Sequence, residues 1–489
     1  MKMKLFLPDD YTVRRDNPLY GDVPGELVYQ PDVYRLALYL AQRAGLRHVV
    51  DIGCGSAGKL LAFRGHCAVI GIDSEFGIDM ARKTMPEGRW IVHDLEQPLP
   101  PLGDDVLRDA VVICSDVIEH LPQPAHLAGQ LADLARRAPY VLVSTPDRDR
   151  ARGWLDRGPP ANPAHALEWN ASEFVRFLRE AGFGDVPFHG HTINTDHHRA
   201  KSTLIALAGI HVSPRPCPPC KLAAVMHGFN EVDILPEVLD HLAAQGVEVH
   251  YFDNWSTDGS WELAQERLHR GQIAHCARFP EAPTDQYEWH AQLSHTTSYA
   301  QTLDATWVMH HDADEIRTSP WPGVSLRDAV AFIDALGYNA IDFTVLDFRF
   351  VDGRAQITAH YERDLNHFEF GRRPGHFRQI KCWRNDAPAE LADSGGHDVQ
   401  LPGRKVYPVK FLLKHYPLRN EEQALRKIHH HRLPRFTTEQ QKYQWHHQYD
   451  AYKTVERVTG WKYKDLLPWH AVHFNTEYLV ERISGIGLD

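Results

Sequence analysis

The sequence predicts an α/β protein of two domains, and three observations predict it. At 489 residues the chain is long for a single domain. From Asp32 onward, short apolar runs alternate with helical patterns, which is how a doubly wound sheet reads in one dimension. The stretch "HVSPRPCPPCK", from His211 to Lys221, then breaks the alternation with four prolines, and the alternation restarts after it. The expected organisation is a first domain over 1–210, a linker over 211–221 and a second domain over 222–489, the last part of it helical.

The elements follow in order. Asp32 to Ala44, "DVYRLALYLAQRA", spaces its apolar residues as a helix does and stops at Gly45. The runs "HVVDI", "AVIGI", "RWIVH", "AVVIC" and "YVLVS" are almost continuously apolar, as parallel strands covered on both faces must be. A helix is expected from Ser172 to Ala181, with Asn170 and Glu173 at its start and Gly182 at its end, before "STLIALAGI" closes the domain. Beyond the linker, "LAAVMH", "ILPEVLDHLAAQG" and "VEVHYF" read as one βαβ unit. No internal repeat is visible.

Composition narrows the function classes. With 43% hydrophobic and 24% charged residues, each domain can bury a core. A formal charge of −11 argues against a protein that lives on phosphate neutralisation along a duplex, so no nucleic-acid partner is expected. Seven cysteines, an odd number set mostly in apolar runs, suit a reducing cytoplasm. Cys217 and Cys220 form one "CPPC" pair with no second pair: half a zinc site or a redox pair is the sharper reading, and linker cysteines the favoured one. The opening "MKMKLFLPDDYTVRRD" has too short an apolar core for a signal peptide, and no window approaches a membrane span.

"VVDIGCGSAGKLL" carries Gly53, Gly55 and Gly58, a GxGxxG turn between a strand and a helix. Dinucleotide sites use the same turn, so the neighbouring acids must discriminate. Asp51, just before the turn, suits a cationic amino-acid ligand and opposes a pyrophosphate. Asp73, at the next strand end, can take both hydroxyls of a ribose. Asp94 follows the third strand, where an adenine amino group can donate to it, with Leu95 beside it to pack on the ring. The ordered motifs "DIGCGSAG", "GID", "HDLEQPLP" and "CSDVIEHLPQP" resemble a class I S-adenosylmethionine-dependent methyltransferase over roughly Tyr29 to Ile210. The resemblance implies a Rossmann-like sheet, S-adenosylmethionine as methyl donor and in-line transfer aided by a base.

Asp116, Glu119 and His120 stand at i, i+3 and i+4, and share a face if the segment is helical. The stretch resembles ubiquinone-type O-methyltransferases, in which an acid-x-x-Glu-His arrangement holds a divalent ion near the acceptor; the first acid here is Asp. His120 is the catalytic candidate, set against a plainer role of capping or packing beneath the site. His165 and Glu168, in "NPAHALEW", either rim the acceptor or anchor their loop.

In the second domain, "WVMHHDADEI" crowds Asp312, Asp314 and Glu315 into four residues after an apolar strand. Such crowding costs stability unless a cation sits among the acids or water solvates them. In an extended segment Asp312 and Asp314 project to the same side, a metal-clamp spacing, whereas the bland alternative is a solvated acidic turn. "MHGFNEVDILPEVLDHLAAQGVEVHYFDNWSTDGS", followed by "HHDADE" and later by "KHYPLRNEEQALRKI", resembles glycosyltransferase family 2 with its GT-A fold, from Leu222 to at least Ile428.

That resemblance implies a nucleotide-diphosphate sugar as donor, with Asp312 and Asp314 holding Mn²⁺ or Mg²⁺ against the diphosphate. It also implies that Asp253 contacts the base or ribose and that Asn230 and Glu231 line the pocket. Asn254, Ser256 and Asp258 either bind or make the next turn. Asp398, in "SGGHD", stands at the separation of the family's base, although the usual Glu-Asp pair reads His397–Asp398 here. His415 is the candidate third metal ligand, against a buried structural histidine. Glu315 is a third-acid contact or, in the favoured reading, a salt-bridged strand end, and His429–His431 with His446 and His447 are a separate metal cluster or, in the favoured reading, solvated surface.

The function expected is bifunctional: an O-methyltransferase joined to a metal-dependent inverting glycosyltransferase, both acting on a glycan or glycoconjugate of the polysaccharide, O-antigen or capsule type. A lipid-linked acceptor would bring the chain to a membrane surface. One alternative is a single-activity glycosyltransferase with a degenerate methyltransferase-like binding module. Another is an NAD-dependent nucleotide-sugar oxidoreductase, which Asp51 and the lack of a Tyr-x-x-x-Lys pair disfavour.

Overall fold

The computed structural model describes residues 11–14, 27–156, 158–184, 188–197, 200–351, 360–371, 378–435 and 460–469, together with 441–443, 445, 450 and 458. Two compact units divide between Pro214 and Arg215. No helix among the described residues is long and apolar enough to cross a membrane.

The first unit is a seven-stranded sheet. Its strands are β1 (His48–Ile52), β2 (Ala68–Asp73), β3 (Arg89–Val92), β4 (Ala110–Ser115), β5 (Tyr140–Pro146), β6 (Phe188–Thr192) and β7 (Thr203–Ala208). They run in the order β3-β2-β1-β4-β5-β7-β6. The first five are parallel, and β7 is antiparallel to both β5 and β6. The helices are α1 (Pro31–Ala44), α2 (Glu75–Thr84), α3 (Asp104–Leu107), α4 (Pro124–Ala135), α5 (Arg148–Arg152) and α6 (Ala171–Leu178). Proline at the first position opens α1 and Gly45, at φ 66°, closes it. Val50, Ile52, Val112 and Cys114 pack with Leu127 and Leu131 of α4 and Phe174 of α6. Each fully buried Leu or Val contributes about 1.5–3 kcal/mol.

One local expectation changes. Helix α6 starts at Ala171 and ends at Leu178, where a wider π turn over Arg179–Phe183 takes over. Its start is a complete capping box: the Glu173 amide donates to Asn170 Oδ1, and the Asn170 amide donates to Glu173 Oε2, both at 3.0 Å. The stretch Phe188–Thr192, "FHGHT", holds two histidines and a glycine and carries no strand signal of its own. Pairing along β7 nevertheless makes β6 there, with alternate residues buried.

The second unit begins, after an irregular segment over 211–221, with β8 (Leu222–Gly228), α7 (Leu235–Ala244), β9 (Glu248–Asp253), α8 (Ser260–His269), β10 (His275–Arg278) and α9 (Trp289–Ala300). Next come β11 (Trp307–Asp312), β12 (Glu315–Thr318), α10 (Leu326–Ala335), β13 (Ala340–Ile341) and β14 (Phe343–Phe348). The remaining strands are β15 (His367–Phe370), β16 (Cys382–Arg384), β17 (Phe411–His415) and β18 (Leu467–Pro468). One sheet has the order β10-β9-β8-β11-β16-β13, its first four strands parallel and β16 antiparallel to β11. A five-stranded sheet, β12-β17-β14-β15-β18, packs the rest.

The acidic stretch therefore corrects one reading. Asp312 ends β11 in the first of these sheets, and Glu315 starts β12 in the other, so Asp314 lies in a turn and not in a shared extended strand. Cys217 and Cys220 are half-exposed free thiols.

Candidate functional site

In the first unit the strand order reverses between β1 and β4, and the expected cofactor residues gather at the carboxyl ends of those strands. Gly53 sits at φ 84°, and a Cβ there would lie 2.2 Å from Val117 Cγ2, so no side chain fits. Gly55 is at φ 49°, and a Cβ there would meet nothing within 4 Å: the turn faces open space. Gly58 is exposed in right-handed helical conformation just before a 3₁₀ turn over Lys59–Phe63. Asp51 is fully buried and accepts from the Tyr34 hydroxyl at 3.0 Å. Asp73 Oδ2 accepts the Gly55 amide at 2.7 Å while Oδ1 accepts the Ser74 amide at 2.6 Å. A Cβ on Gly77 would meet that carboxylate at 2.7 Å, so Gly77 makes room for Asp73. Asp94 is exposed after β3, accepting from the Glu96 amide at 3.0 Å, and Leu95 is half-buried.

The acceptor side differs from the helical expectation. Asp116 is at φ 55°, and only Ile118–His120 form a 3₁₀ turn, so Asp116 does not share a helical face with Glu119 and His120. Left-handed backbone at a strand end is strain of the kind that functional sites store. The group that converges is Glu119, His120 and His165, whose ligand-type atoms lie within 4.8 Å of one another. His120 donates from Nδ1 to the Ala164 carbonyl at 2.9 Å, an arrangement that puts the lone pair on Nε2. Burial pushes its pKa down.

His165 donates from Nδ1 to Glu168 Oε1 at 2.8 Å, and the Asn162 amide faces Nε2 at 3.0 Å. Asn162 Oδ1 is already taken by the Ala164 amide, so the amide nitrogen is the group turned to the ring. Both nitrogens of His165 are thus engaged, and a divalent ion in this group would have to displace Asn162. Burial lowers the His165 pKa, yet its bond to Glu168 and the nearby Glu119 raise it more. Glu119 is fully buried and accepts from Thr145 Oγ1 at 3.1 Å through Oε2, while Oε1 has no hydrogen bond among the described residues. Its burial raises the pKa to about 7.

In the second unit the order β10-β9-β8-β11 likewise reverses beside β8. Register places Arg278 beside Asp253, Asp253 beside Gly228 and His227 beside Asp312 at one sheet edge. Burial raises the Asp253 pKa, although its Oδ2 accepts the Ser256 amide at 2.9 Å. Asn230, at φ 55°, accepts the Thr257 amide at 2.7 Å and faces His431 at 3.2 Å. Asp258 is a turn residue: it accepts the Ser260 and Val232 amides, both at 3.0 Å. Asn254 accepts from Arg435 at 2.8 Å. Asp398 pairs with Arg404 and lies 3.8 Å from Arg378.

The crowded acids have cations that sequence spacing did not reveal. Lys381 reaches Asp312 at 2.9 Å and Glu315 at 3.4 Å, and Arg317 reaches Glu315 at 2.5 Å. Lys427 bridges Asp314 at 2.7 Å and Glu231 at 2.6 Å. Arg419, fully buried, reaches Glu231 at 2.6 Å and Asp233 at 2.7 Å. Burial alone would raise the carboxyl pKa values, but Lys381 holds Asp312, and Lys427 holds Asp314, well below the usual range. His415 Nδ1 donates to Asp347 at 2.8 Å, with Nε2 at 3.8 Å from Asp314. Of the histidine run, His431 turns to Asn230; His446 and His447 lie outside the described residues. Arg419 and Lys427 stand in "KHYPLRNEEQALRKI", which was the available signal.

Residues 28–187 match a family described as a methyltransferase domain. A probable S-adenosylmethionine-dependent methyltransferase of Mycobacterium tuberculosis strain H37Rv is 34% identical over 203 residues, covering 40% of this chain and 71% of that protein. A ubiquinone biosynthesis O-methyltransferase of Coxiella burnetii is 29% identical over 115 residues, 23% of this chain and 49% of that protein. The solved apo S-adenosylmethionine-dependent methyltransferase SibL is 20% identical with a TM-score of 0.27, covering 36% of this chain and 54% of that one.

Proposed function

The chain belongs to the S-adenosylmethionine-dependent methyltransferases, and we propose that it joins an O-methyltransferase in its first unit to a nucleotide-sugar glycosyltransferase in its second, the latter on the residues of the second unit alone. The cofactor fits the residues present: Gly55 opens a cradle that a side chain would fill, and Asp73 stands at its rim, bonded to the Gly55 amide. When bound, S-adenosylmethionine supplies an electrophilic methyl group on a sulfonium. The chain's own residues do the rest. Gly53, Gly55 and Gly58 let backbone approach the ligand, Asp51 offers negative charge beneath the amino-acid end, and Asp94 and Leu95 serve the adenine.

His120 is the base we assign to the acceptor hydroxyl. Its Nδ1–H is committed to the Ala164 carbonyl, and burial keeps the ring neutral near pH 7, so Nε2 can take the proton. Glu119 and His165 hold the ring's surroundings, while Glu168 orients His165. The observation that carries the oxygen-nucleophile reading is this fixed tautomer. A pH profile of methyl transfer tests it: the wild type should lose activity as His120 protonates, and His120→Gln should lose both the rate and that limb.

For the second unit, the supporting observation is the shared edge on which Asp253 and Asp312 end parallel strands beside the reversal of strand order. Ligands of open α/β sheets bind in that crevice. Asp253 would meet the base or ribose of the donor, Asn230 and Glu231 would line the pocket, and Asp398 is the base assigned to the acceptor. Covalent linkage is the reason to assign both units one glycan or glycoconjugate acceptor. Mass spectrometry of donor turnover across nucleotide sugars tests the second activity, and supplying each unit with the other's product tests the common acceptor. No turnover of any nucleotide sugar would leave the methyltransferase standing alone.

A further inference from the structure

We propose that the second unit neutralises the diphosphate of its nucleotide donor with side-chain cations, led by Arg435 and Arg278, and not with a divalent metal ion. The inference rests on the nucleotide-sugar reading of that unit and corrects the ion that the sequence resemblance implies. The donor set does not fit the ion. A hard dication needs carboxylate oxygens with negative charge to spare, and both acids of the expected clamp already contact an ammonium group. Asp312 meets Lys381 at 2.9 Å and Asp314 meets Lys427 at 2.7 Å, and the two lysine side chains are only 4% and 6% exposed. These are built interior pairs and not surface lysines that swing aside.

The surrounding charges close the same way. Glu315 has Arg317 and Lys381, and Glu231 has Arg419 and Lys427. An ion placed between Asp312 and Asp314 would face the repulsion of two ammonium groups in a setting that screens little. Geometry agrees: among the described residues, the group whose three ligand atoms come within 4.8 Å of one another is Glu119, His120 and His165, and Asp312, Asp314 and His415 do not form such a group.

The same edge offers an anion what the clamp lacks. Arg435 stacks on Phe229 at 4.2 Å and donates to Asn254 at 2.8 Å, which fixes its guanidinium beside the loop after β8. Arg278 ends β10 next to Asp253 and stacks on Trp255 at 4.2 Å. Buried Nη1 of Arg435 and Nε of Arg278 find no hydrogen-bond acceptor among the described residues. Guanidinium groups held flat by aromatic rings, with donors left over, suit phosphate oxygens.

The test is calorimetry on the full chain with UDP, GDP, CDP and ADP, each in EDTA and in Mn²⁺, and with Mn²⁺ alone. At least one nucleoside diphosphate should bind with a Kd that changes less than about threefold between EDTA and Mn²⁺. Arg435→Gln, at a half-buried position, should weaken it about tenfold or more. Arg278→Gln, which removes the guanidinium held against Trp255, should do the same. Binding that appears only with Mn²⁺, or a Mn²⁺ site abolished by Asp312→Asn with Asp314→Asn, overturns the proposal and keeps the glycosyltransferase reading. Failure of every nucleoside diphosphate to bind in either condition overturns both.

Discussion

The Gly55 amide donates to Asp73 Oδ2 at 2.7 Å, which ties the glycine turn after β1 to the carboxyl end of β2. One side chain thus sets both the shape of the turn and the charge at its rim. Asp73→Asn should weaken S-adenosylmethionine binding by about 10–100-fold, the range of a lost charge-assisted hydrogen bond. Isothermal titration with the cofactor checks it, and nucleoside diphosphate binding by the same protein should not change.

Gly53 and Gly55 stand two residues apart and answer to different constraints. An alanine methyl at Gly53 would lie 2.2 Å from Val117 Cγ2, on a backbone at φ 84°, so Gly53→Ala should lower stability by about 2–4 kcal/mol. Adding Val117→Ala should return part of that loss, because the clash goes and the left-handed backbone stays. Gly55→Ala meets nothing within 4 Å and should cost only about 1–2 kcal/mol, yet it should abolish cofactor binding by filling the cradle. Thermal melts read beside cofactor titrations separate the two outcomes.

These glycines were legible because a strand, a turn and a helix signal lie contiguous in the chain. So were strands β1 to β5 and the βαβ start of the second unit, whose apolar runs need no partner to be recognised. Strand β6 was not, since its pairing with β7 and not its own composition makes it a strand. The spacing of Asp116, Glu119 and His120 matched a helix, but the chain turns through left-handed backbone at Asp116 and Pro122 and Pro124 follow at once. The cations of the second unit were hidden for a geometric reason. Asp312 and Lys381 are 69 residues apart, and Asp314 and Lys427 are 113 apart, separations that no local pattern encodes.

Glu119 gives the first unit a pH dependence of definite sign. Burial raises its pKa from 4.5 to about 7, so the folded protein holds this proton more tightly than the unfolded chain. Its contribution to stability is full below about 4.5 and is lost as pH rises through about 7. Glu119→Gln keeps the shape and removes the titration. The difference between variant and wild-type unfolding free energies should therefore shift in the variant's favour across that window, as followed by urea titration at a series of pH values. A flat difference would mean that Glu119 is ionised throughout, matched by a protonated His165.

In the second unit, Arg419 is the group whose loss should be felt most. Its guanidinium is fully buried, reaches Glu231 at 2.6 Å and Asp233 at 2.7 Å, and donates to the Tyr416 carbonyl at 2.9 Å. Removing it leaves Asp233 without its cation and interior Glu231 with Lys427 alone, so Arg419→Met should cost about 3–5 kcal/mol. Lysine in its place keeps the charge but not the fork that serves both acids, and should recover less than half of the loss. Arg419→Met combined with Glu231→Gln and Asp233→Asn removes both carboxylates with their partner, leaves Lys427 paired with Asp314, and should be more stable than Arg419→Met alone. Chemical denaturation of the four proteins decides it: if the triple variant is no more stable than Arg419→Met, packing around the guanidinium, and not the stranded charge, holds this part of the fold.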